Sequence, residues 1–305
     1  MGTEHDSSQS GFAEGQDGTR IHYSAVGDGS GGRPTLVCCD GIGCDGFAWK
    51  YLVRDFAATH RIVRWHYRGH GRSGIPQDRS RVGFDDISGD LHAVLQATGV
   101  KQAILLGHSM GVQVVLEHHR RRPQDVLGLV LICGSHGLPL DTFHDSKALK
   151  VLLPSMIAAA DRYPSALNLI WRFASGGELA YQIATHLEVN GKLIRREDFL
   201  PYFRHLSAMD PRLFLGMLDN ASKHTAFDHL PAVDVPTLIV AGTKDTFTPY
   251  WLSLEMHERI RESEILTVPE GTHVAPIEQP ELIALRLEKF FAKVPPKRES
   301  SLRSA

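Results

Sequence analysis

The sequence predicts an α/β fold, a mostly parallel central sheet with helices on both faces and an inserted helical cap. Three observations carry that prediction. Short apolar, β-branched runs alternate with longer stretches of helical spacing. The runs, among them "TLVCCD", "QAILLG", "LGLVLICG" and "PTLIVAG", are continuously apolar, as strands covered on both faces require. The alternation then stops between about residues 137 and 230, where pieces such as "SKALKVLLPSMIAAADRY" and "FRHLSAMDPRLFLGMLDNA" have helical spacing and no clear strand separates them. That segment is too long and too apolar to be a loop.

In chain order, "RIHYSAV" is a strand, and the Gly-rich "GDGSGGRP" after it is a hairpin-type connection. "TLVCCD" follows, then a helical stretch near "DGFAWKYLVRDFAA", then the strand "RIVRWHY". "FDDISGDLHAVLQATG" places Ile87, Leu91, Val94 and Leu95 on one helical face and ends at Gly99. "QAILLG", a helix starting at Ser109, and "LGLVLICG" complete the first half. After the helical segment the alternation returns as "PTLIVAG", "YWLSLEMHERIR", "SEILTVPEG" and "QPELIALRLEKFFA". The expected organisation is a core built from residues 12–136 and 231–294, a helical cap at 137–230, and loose tails at 1–11 and 295–305.

Composition narrows the function classes. With 42% hydrophobic and 22% charged residues the chain is an ordinary globular sequence, large enough for a substantial core. A formal net charge of −2 gives no reason to expect a nucleic-acid partner. The opening "MGTEHDSSQSG" lacks the basic and apolar regions of a signal peptide, and no apolar run approaches the roughly 18 residues of a membrane span. A cytoplasmic location and no integral membrane span are therefore expected. The four cysteines form no C-x-x-C pair and read as small buried apolar residues. "EHHRRRP" (117–123) invites a metal reading. Adjacent helical residues do not face one another, however, and a basic last turn before proline is an ordinary helix ending. No metal and no organic cofactor are expected, and the expected partner is a small-molecule substrate.

The chemistry-bearing signal is "ILLGHSMGVQVVL". It runs apolar residues out of a strand, sets Ser109 between Gly107-His108 and Met110-Gly111, and starts a helix at once. Glycines two residues to either side imply a sharp turn with something packed against it. The plain reading is that Ser109 caps the helix. The chemical reading is a nucleophile, and a serine hydroxyl then needs a general base in reach and a carboxylate to orient that base. In a parallel sheet such groups belong on loops at the carboxyl ends of strands. The loop after "PTLIVAG" offers Asp245, and the loop after "SEILTVPEG" offers His273. Taken alone, Asp245 could cap the next helix and His273 could be one surface histidine among 17. Together they fall on suitable loops in a consistent order.

"GHSMG", "GTKDTFTP", "GTHVAPIEQP" and "YRGHGRSG" (67–74) resemble the α/β-hydrolase superfamily over essentially the whole chain outside the tails. The resemblance implies a single α/β-hydrolase domain in which Ser109, Asp245 and His273 are the nucleophile, the orienting acid and the base. It implies an oxyanion hole with one backbone N–H at Met110. The second is expected at Ile42, in the loop "DGIGCDG", where Gly41, Gly43 and Gly46 let backbone approach a ligand closely. Two positions depart from the family's usual pattern. Asp40 stands where the family usually has histidine, and His66 stands where it usually has aspartate. An exchanged Asp40–His66 contact, with the His66 pKa raised, is the expectation these departures raise.

The implied activity is hydrolysis of a carboxylic ester of a small, largely apolar substrate by acyl transfer through Ser109. The same triad could serve a lactonase, thioesterase, C–C bond hydrolase or perhydrolase. Epoxide and carbon–halogen cleavage use aspartate at the elbow in this superfamily, and Ser109 argues against both. A low-turnover small-molecule receptor on the same fold is the alternative from another class. Leu152, Leu153, Met156, Leu169, Ile170, Trp171, Phe214, Leu215 and Met217 are candidates for an apolar pocket roof.

Overall fold

A computed structural model describes residues 9–296, except 28, 30, 143, 145 and 188. The first half of the chain forms β1 (Gln9–Glu14), β2 (Arg20–Val26), β3 (Thr35–Cys39), α1 (Lys50–Phe56), β4 (Ile62–Trp65), α2 (Phe84–Ala97), β5 (Ala103–His108), α3 (Met110–Arg121) and β6 (Val126–Ile132). Among the described residues five helices follow with no strand between them: α4 (Ala148–Arg162), α5 (Pro164–Ser175), α6 (Gly177–Leu187), α7 (Arg196–Ala208) and α8 (Pro211–Lys223). The chain then completes β7 (Thr237–Gly242), α9 (Tyr250–Arg259), β8 (Ser263–Val268), α10 (Ala275–Glu278) and α11 (Pro280–Phe291).

The eight strands form one sheet in the order β1-β2-β4-β3-β5-β6-β7-β8. From β4 through β8 every neighbouring pair is parallel, and β1 and β2 add an antiparallel edge. Side chains alternate across a strand, and the consequence is visible in the two cores. Val37, Leu105, Leu129 and Ile239 pack with Ile87, Leu91, Val112 and Met256 on one face. Their neighbours Leu36, Ile104, Val130 and Leu238 pack with Leu52, Phe56, Leu287 and Phe290 on the other. Every residue of β5 and β6 is buried, which explains why those strands show no alternation in the sequence.

Of two smaller clusters, one joins the helical segment to the core and the other lies within that segment. Phe199 and Phe203 of α7 pack with Phe47 and Val274 of the core. Leu153 and Ala160 of α4 pack with Leu215 of α8 and Leu140. Residues 9–11, inside the stretch read as a loose tail, belong to β1, whose pairing with β2 draws them into the sheet edge. Residues 1–8 and 297–305 of the expected tails lie outside the described residues. The Gly-rich segment after β2 is not a hairpin: β2 pairs with β1 and β4, and β3 lies beyond β4. No helix among the described residues is long and apolar enough to cross a membrane.

Candidate active site

The glycines around Ser109 are required by packing. A Cβ on Gly111 would lie 2.1 Å from the Cys39 carbonyl oxygen, and one on Gly107 would lie 2.3 Å from the Gly111 carbonyl oxygen. Helix α3 therefore sits directly against the ends of β3 and β5, and only hydrogen fits at both positions. The turn between them is tight enough to hold Ser109 at φ 57° and ψ −121°, a conformation that strains any residue with a Cβ. Ser109 does not cap α3 with its side chain. Its hydroxyl lies 2.8 Å from His273 Nε2.

His273 is held from several directions. Its Nδ1 lies 3.0 Å from Asp245 Oδ2 and 3.2 Å from Oδ1. Its ring stacks on Phe247, with centroids 4.8 Å apart. His108 Nε2 donates to the His273 carbonyl oxygen at 2.9 Å. Burial, then the neighbouring His273, pushes the His108 pKa down to about 4, which keeps it neutral. Glu278 accepts from both the amide and the hydroxyl of Thr272, each at 2.7 Å, and from the amide of Asn190 in the cap at 2.8 Å. It thus ties the histidine loop to the cap.

Asp245 is buried, and burial alone would raise its pKa. His273 and the hydrogen bonds it accepts outweigh that, and its carboxyl sits below the ordinary aspartate value. The amides of Phe247 and Thr248 each donate to Oδ1 at 2.9 Å, and the Thr248 hydroxyl donates to Oδ2 at 2.8 Å. Asp245 does not cap α9. The structure thus brings Ser109, His273 and Asp245 into one hydrogen-bonded chain at the carboxyl ends of β5, β7 and β8.

Ile42 and Met110 both adjoin Ser109. Met110 opens α3, so its N–H lies in the first turn, where amides have no acceptor within the helix. The Ile42 N–H has no acceptor among the described residues. A Cβ on Gly41 would lie 3.0 Å from Ser109 Cβ, so the loop after β3 presses against the elbow. The adjoining Gly43 has φ 72°, and its N–H donates to His70 Nε2 at 3.1 Å. His70 Nδ1 in turn donates to the Arg68 carbonyl oxygen at 3.2 Å. Burial pushes the His70 pKa down to about 3, so Nε2 keeps the lone pair that holds Gly43. His70 was not identified from the sequence as a supporting residue, although "YRGHGRSG" contains it.

Asp40 and His66 are not the expected pair. The Asp40 carboxylate accepts from Trp49 Nε1 at 2.6 Å, and the Tyr67 hydroxyl donates to the Asp40 carbonyl oxygen at 2.7 Å. His66 Nδ1 accepts from the Arg72 amide at 2.9 Å, and its ring lies 4.9 Å from that of His22. Each side chain has taken a nearer partner. The shifts also run against a pair: burial raises Asp40 to about 7, despite the opposing Trp49 hydrogen bond, and burial lowers His66 to about 4.

A raised carboxyl has a consequence for stability. The folded state holds the Asp40 proton more tightly than the unfolded chain does. The associated stability is complete below about pH 4, the ordinary aspartate value. It is lost as pH rises through about 7. Asp40→Asn keeps an oxygen for Trp49 and removes the titration. Urea unfolding across this range is expected to show the variant gaining stability relative to the wild type as pH rises. A constant difference between the two would show that folding leaves the Asp40 pKa unshifted.

The cavity above Ser109 is apolar, and cap and core share its walls. A chamber of about 450 Å³ includes Phe47, Phe199, Phe203 and Val274, and a chamber of about 240 Å³ includes Leu140, Leu149 and Phe214. Of the expected roof residues, Met156, Trp171, Phe214 and Leu215 line it. Leu153 and Met217 are packed in the interior, and Leu152, Leu169 and Ile170 face outward. His118 and His119 of "EHHRRRP" are buried against Ser88 and His229, away from this cavity. Among the described residues no group of three or more His, Cys, Asp or Glu side chains is arranged to hold a metal ion.

A family model described as alpha/beta hydrolase fold matches residues 34–280. The chain is 25% identical to a putative carbamate hydrolase RutD from Agrobacterium fabrum, over 89% of this chain and 98% of that one. It is 23% identical to mouse epoxide hydrolase 4, over 87% of this chain and 74% of that one. Among solved structures, a thermophilic esterase from Thermogutta terrifontis superposes with a TM-score of 0.73 at 19% identity, covering 94% of this chain and 99% of the esterase.

Proposed function

Since this chain belongs to the alpha/beta hydrolase family, we propose that it hydrolyses a carboxylic ester of a small, largely apolar substrate through an acyl-enzyme on Ser109. The observation that carries this reading is the hydrogen-bonded chain from Ser109 through His273 to Asp245, opening on an apolar cavity. Serine, not aspartate, stands at the elbow, which separates this reading from the activity named for the epoxide hydrolase relative.

The chemistry follows from the geometry. Ser109 Oγ attacks the ester carbonyl carbon while His273 Nε2 takes the hydroxyl proton. Charge builds on the carbonyl oxygen and meets the N–H groups of Ile42 and Met110. Asp245 stabilises the cationic imidazole. The tetrahedral species collapses, the leaving alkoxide takes the proton from His273, and an alcohol departs. Water then gives its proton to His273 and attacks the acyl carbon. The carboxylic acid leaves, and the proton returns to Ser109. A fluorophosphonate probe tests the assignment: one label is expected, on Ser109, together with sustained turnover of a p-nitrophenyl ester. A single stoichiometric burst with no turnover would instead indicate a receptor.

His70 acts at one remove. By holding Gly43 N–H it fixes the loop on which Ile42 N–H must point at the oxyanion. His70→Ala is expected to lower kcat on the order of tenfold, with KM little changed, because the interaction it supports forms in the transition state. His70→Gln, which keeps an acceptor, is expected to recover part of the loss. An equal rise in KM at constant kcat would assign His70 to ground-state binding.

A further inference from the structure

The two chambers above Ser109 meet at the reacting serine. Ile42, Ser109 and His273 line both, and so do Trp171, Tyr202 and Phe247. These three rings form a collar: Trp171 and Tyr202 descend from α5 and α7, and Phe247 comes from the acid loop and stacks on His273. The collar is braced. Trp171 Nε1 donates to the Leu206 carbonyl oxygen at 2.7 Å, and its ring packs on Phe214 at 4.9 Å. Tyr202 packs against Phe47 and stacks on Phe199, with centroids 5.3 and 5.8 Å apart.

We infer that the substrate is an open-chain, uncharged ester with a substantial apolar arm on each side of the scissile bond. This deepens the reading of Ser109 as an acyl-transfer nucleophile and rests on it. The planar ester group would thread the collar. Its carbonyl carbon would meet Ser109, one arm would fill the chamber of about 450 Å³, and the other would fill the chamber of about 240 Å³. A compact ring or an acetyl ester would leave one chamber unfilled and forgo its apolar contact.

The walls also exclude charge. Among the described residues no Lys, Arg, Asp or Glu side chain lines either chamber. A carboxylate or ammonium on either arm would lose its hydration with no counter-ion to replace it. Three of the polar side chains present are engaged elsewhere: Gln113 donates to the Ala221 carbonyl oxygen at 3.1 Å, Ser135 to that of Gly137 at 3.2 Å, and Ser175 to that of Trp171 at 2.6 Å.

The test is a two-way set of esters. One series varies the acyl chain from acetyl to decanoyl on a fixed alcohol, and the other varies the alcohol from methyl to octyl on a fixed hexanoyl group. Each series also includes a member ending in carboxylate, and a monocyclic lactone is added. kcat/KM is expected to rise with length on both arms and to fall at least about tenfold for the charged members and the lactone. Two variants then fill the chambers separately: Ala184→Trp in the larger and Leu218→Trp in the smaller. Each is expected to lower kcat/KM for long members about tenfold on one arm only, with the two variants acting on opposite arms. Fluorophosphonate labelling at the wild-type rate shows that a variant keeps its site. If it does not, the wild-type series decides alone. Best activity on an acetyl or methyl ester or on the lactone, or both variants acting on one arm, would overturn the inference while Ser109 labelling stands. Failure of Ser109 to label, with no ester turned over, would instead overturn the reading on which the inference rests.

Discussion

Replacing Ser109 with alanine is expected to lower kcat on the order of 10⁶-fold, the loss seen when a nucleophile is removed from a triad that acts as a unit. Ser109 Oγ is the atom that His273 Nε2 faces at 2.8 Å, so its removal leaves the base with nothing to activate but water. The elbow itself should survive. Alanine keeps the Cβ, and the glycines that permit the turn are untouched. Ser109→Gly provides a control that separates chemistry from strain. It should lose the same activity. At φ 57° and ψ −121° it should also be no less stable than the alanine variant, because glycine adopts that backbone without a Cβ clash. Full activity in the alanine variant, or wild-type labelling at another serine, would remove Ser109 from the mechanism.

The parallel sheet was legible because its strands are buried on both faces and therefore continuously apolar. β5 and β6 are the clearest cases. β1 was not legible. "QSGFAE" carries one buried residue, on an edge strand open to solvent, and gives no period to read. The error about the segment after β2 has a related cause. Turn residues mark where a chain bends, but which strand it pairs with next is decided by the whole sheet, and here β4 intervenes. Ser109, Asp245 and His273 could be singled out because each sits on a loop whose strand was visible. His70 and His108 act through backbone groups, Gly43 N–H and the His273 carbonyl, and backbone partners leave no pattern of residue types. Asp40 and His66 show the opposite failure. Two unusual residues at neighbouring strand ends looked complementary, but Trp49 and the Arg72 amide were better placed to meet them.

Asp245→Asn is expected to leave the fold intact and lower kcat on the order of 10⁴-fold. The size of the effect follows from which way the amide must face. Oδ1 of Asp245 accepts from two backbone amides, those of Phe247 and Thr248. An asparagine must keep its oxygen there, because an amide nitrogen would set donor against donor at a buried site. The new NH₂ group then occupies the position of Oδ2, facing His273 Nδ1 and the Thr248 hydroxyl. The hydroxyl can turn to accept, so the loop holds. The imidazole can accept only by losing its proton from Nδ1, which places the remaining proton on Nε2. That nitrogen then presents N–H to Ser109 and cannot serve as the base. The loop geometry thus selects the unproductive tautomer. Activity near wild type in Asp245→Asn would show that another carboxylate serves His273. Asp228 and Asp234 are poorly placed for that, since they pair with Arg120 and His119 at the far end of α3.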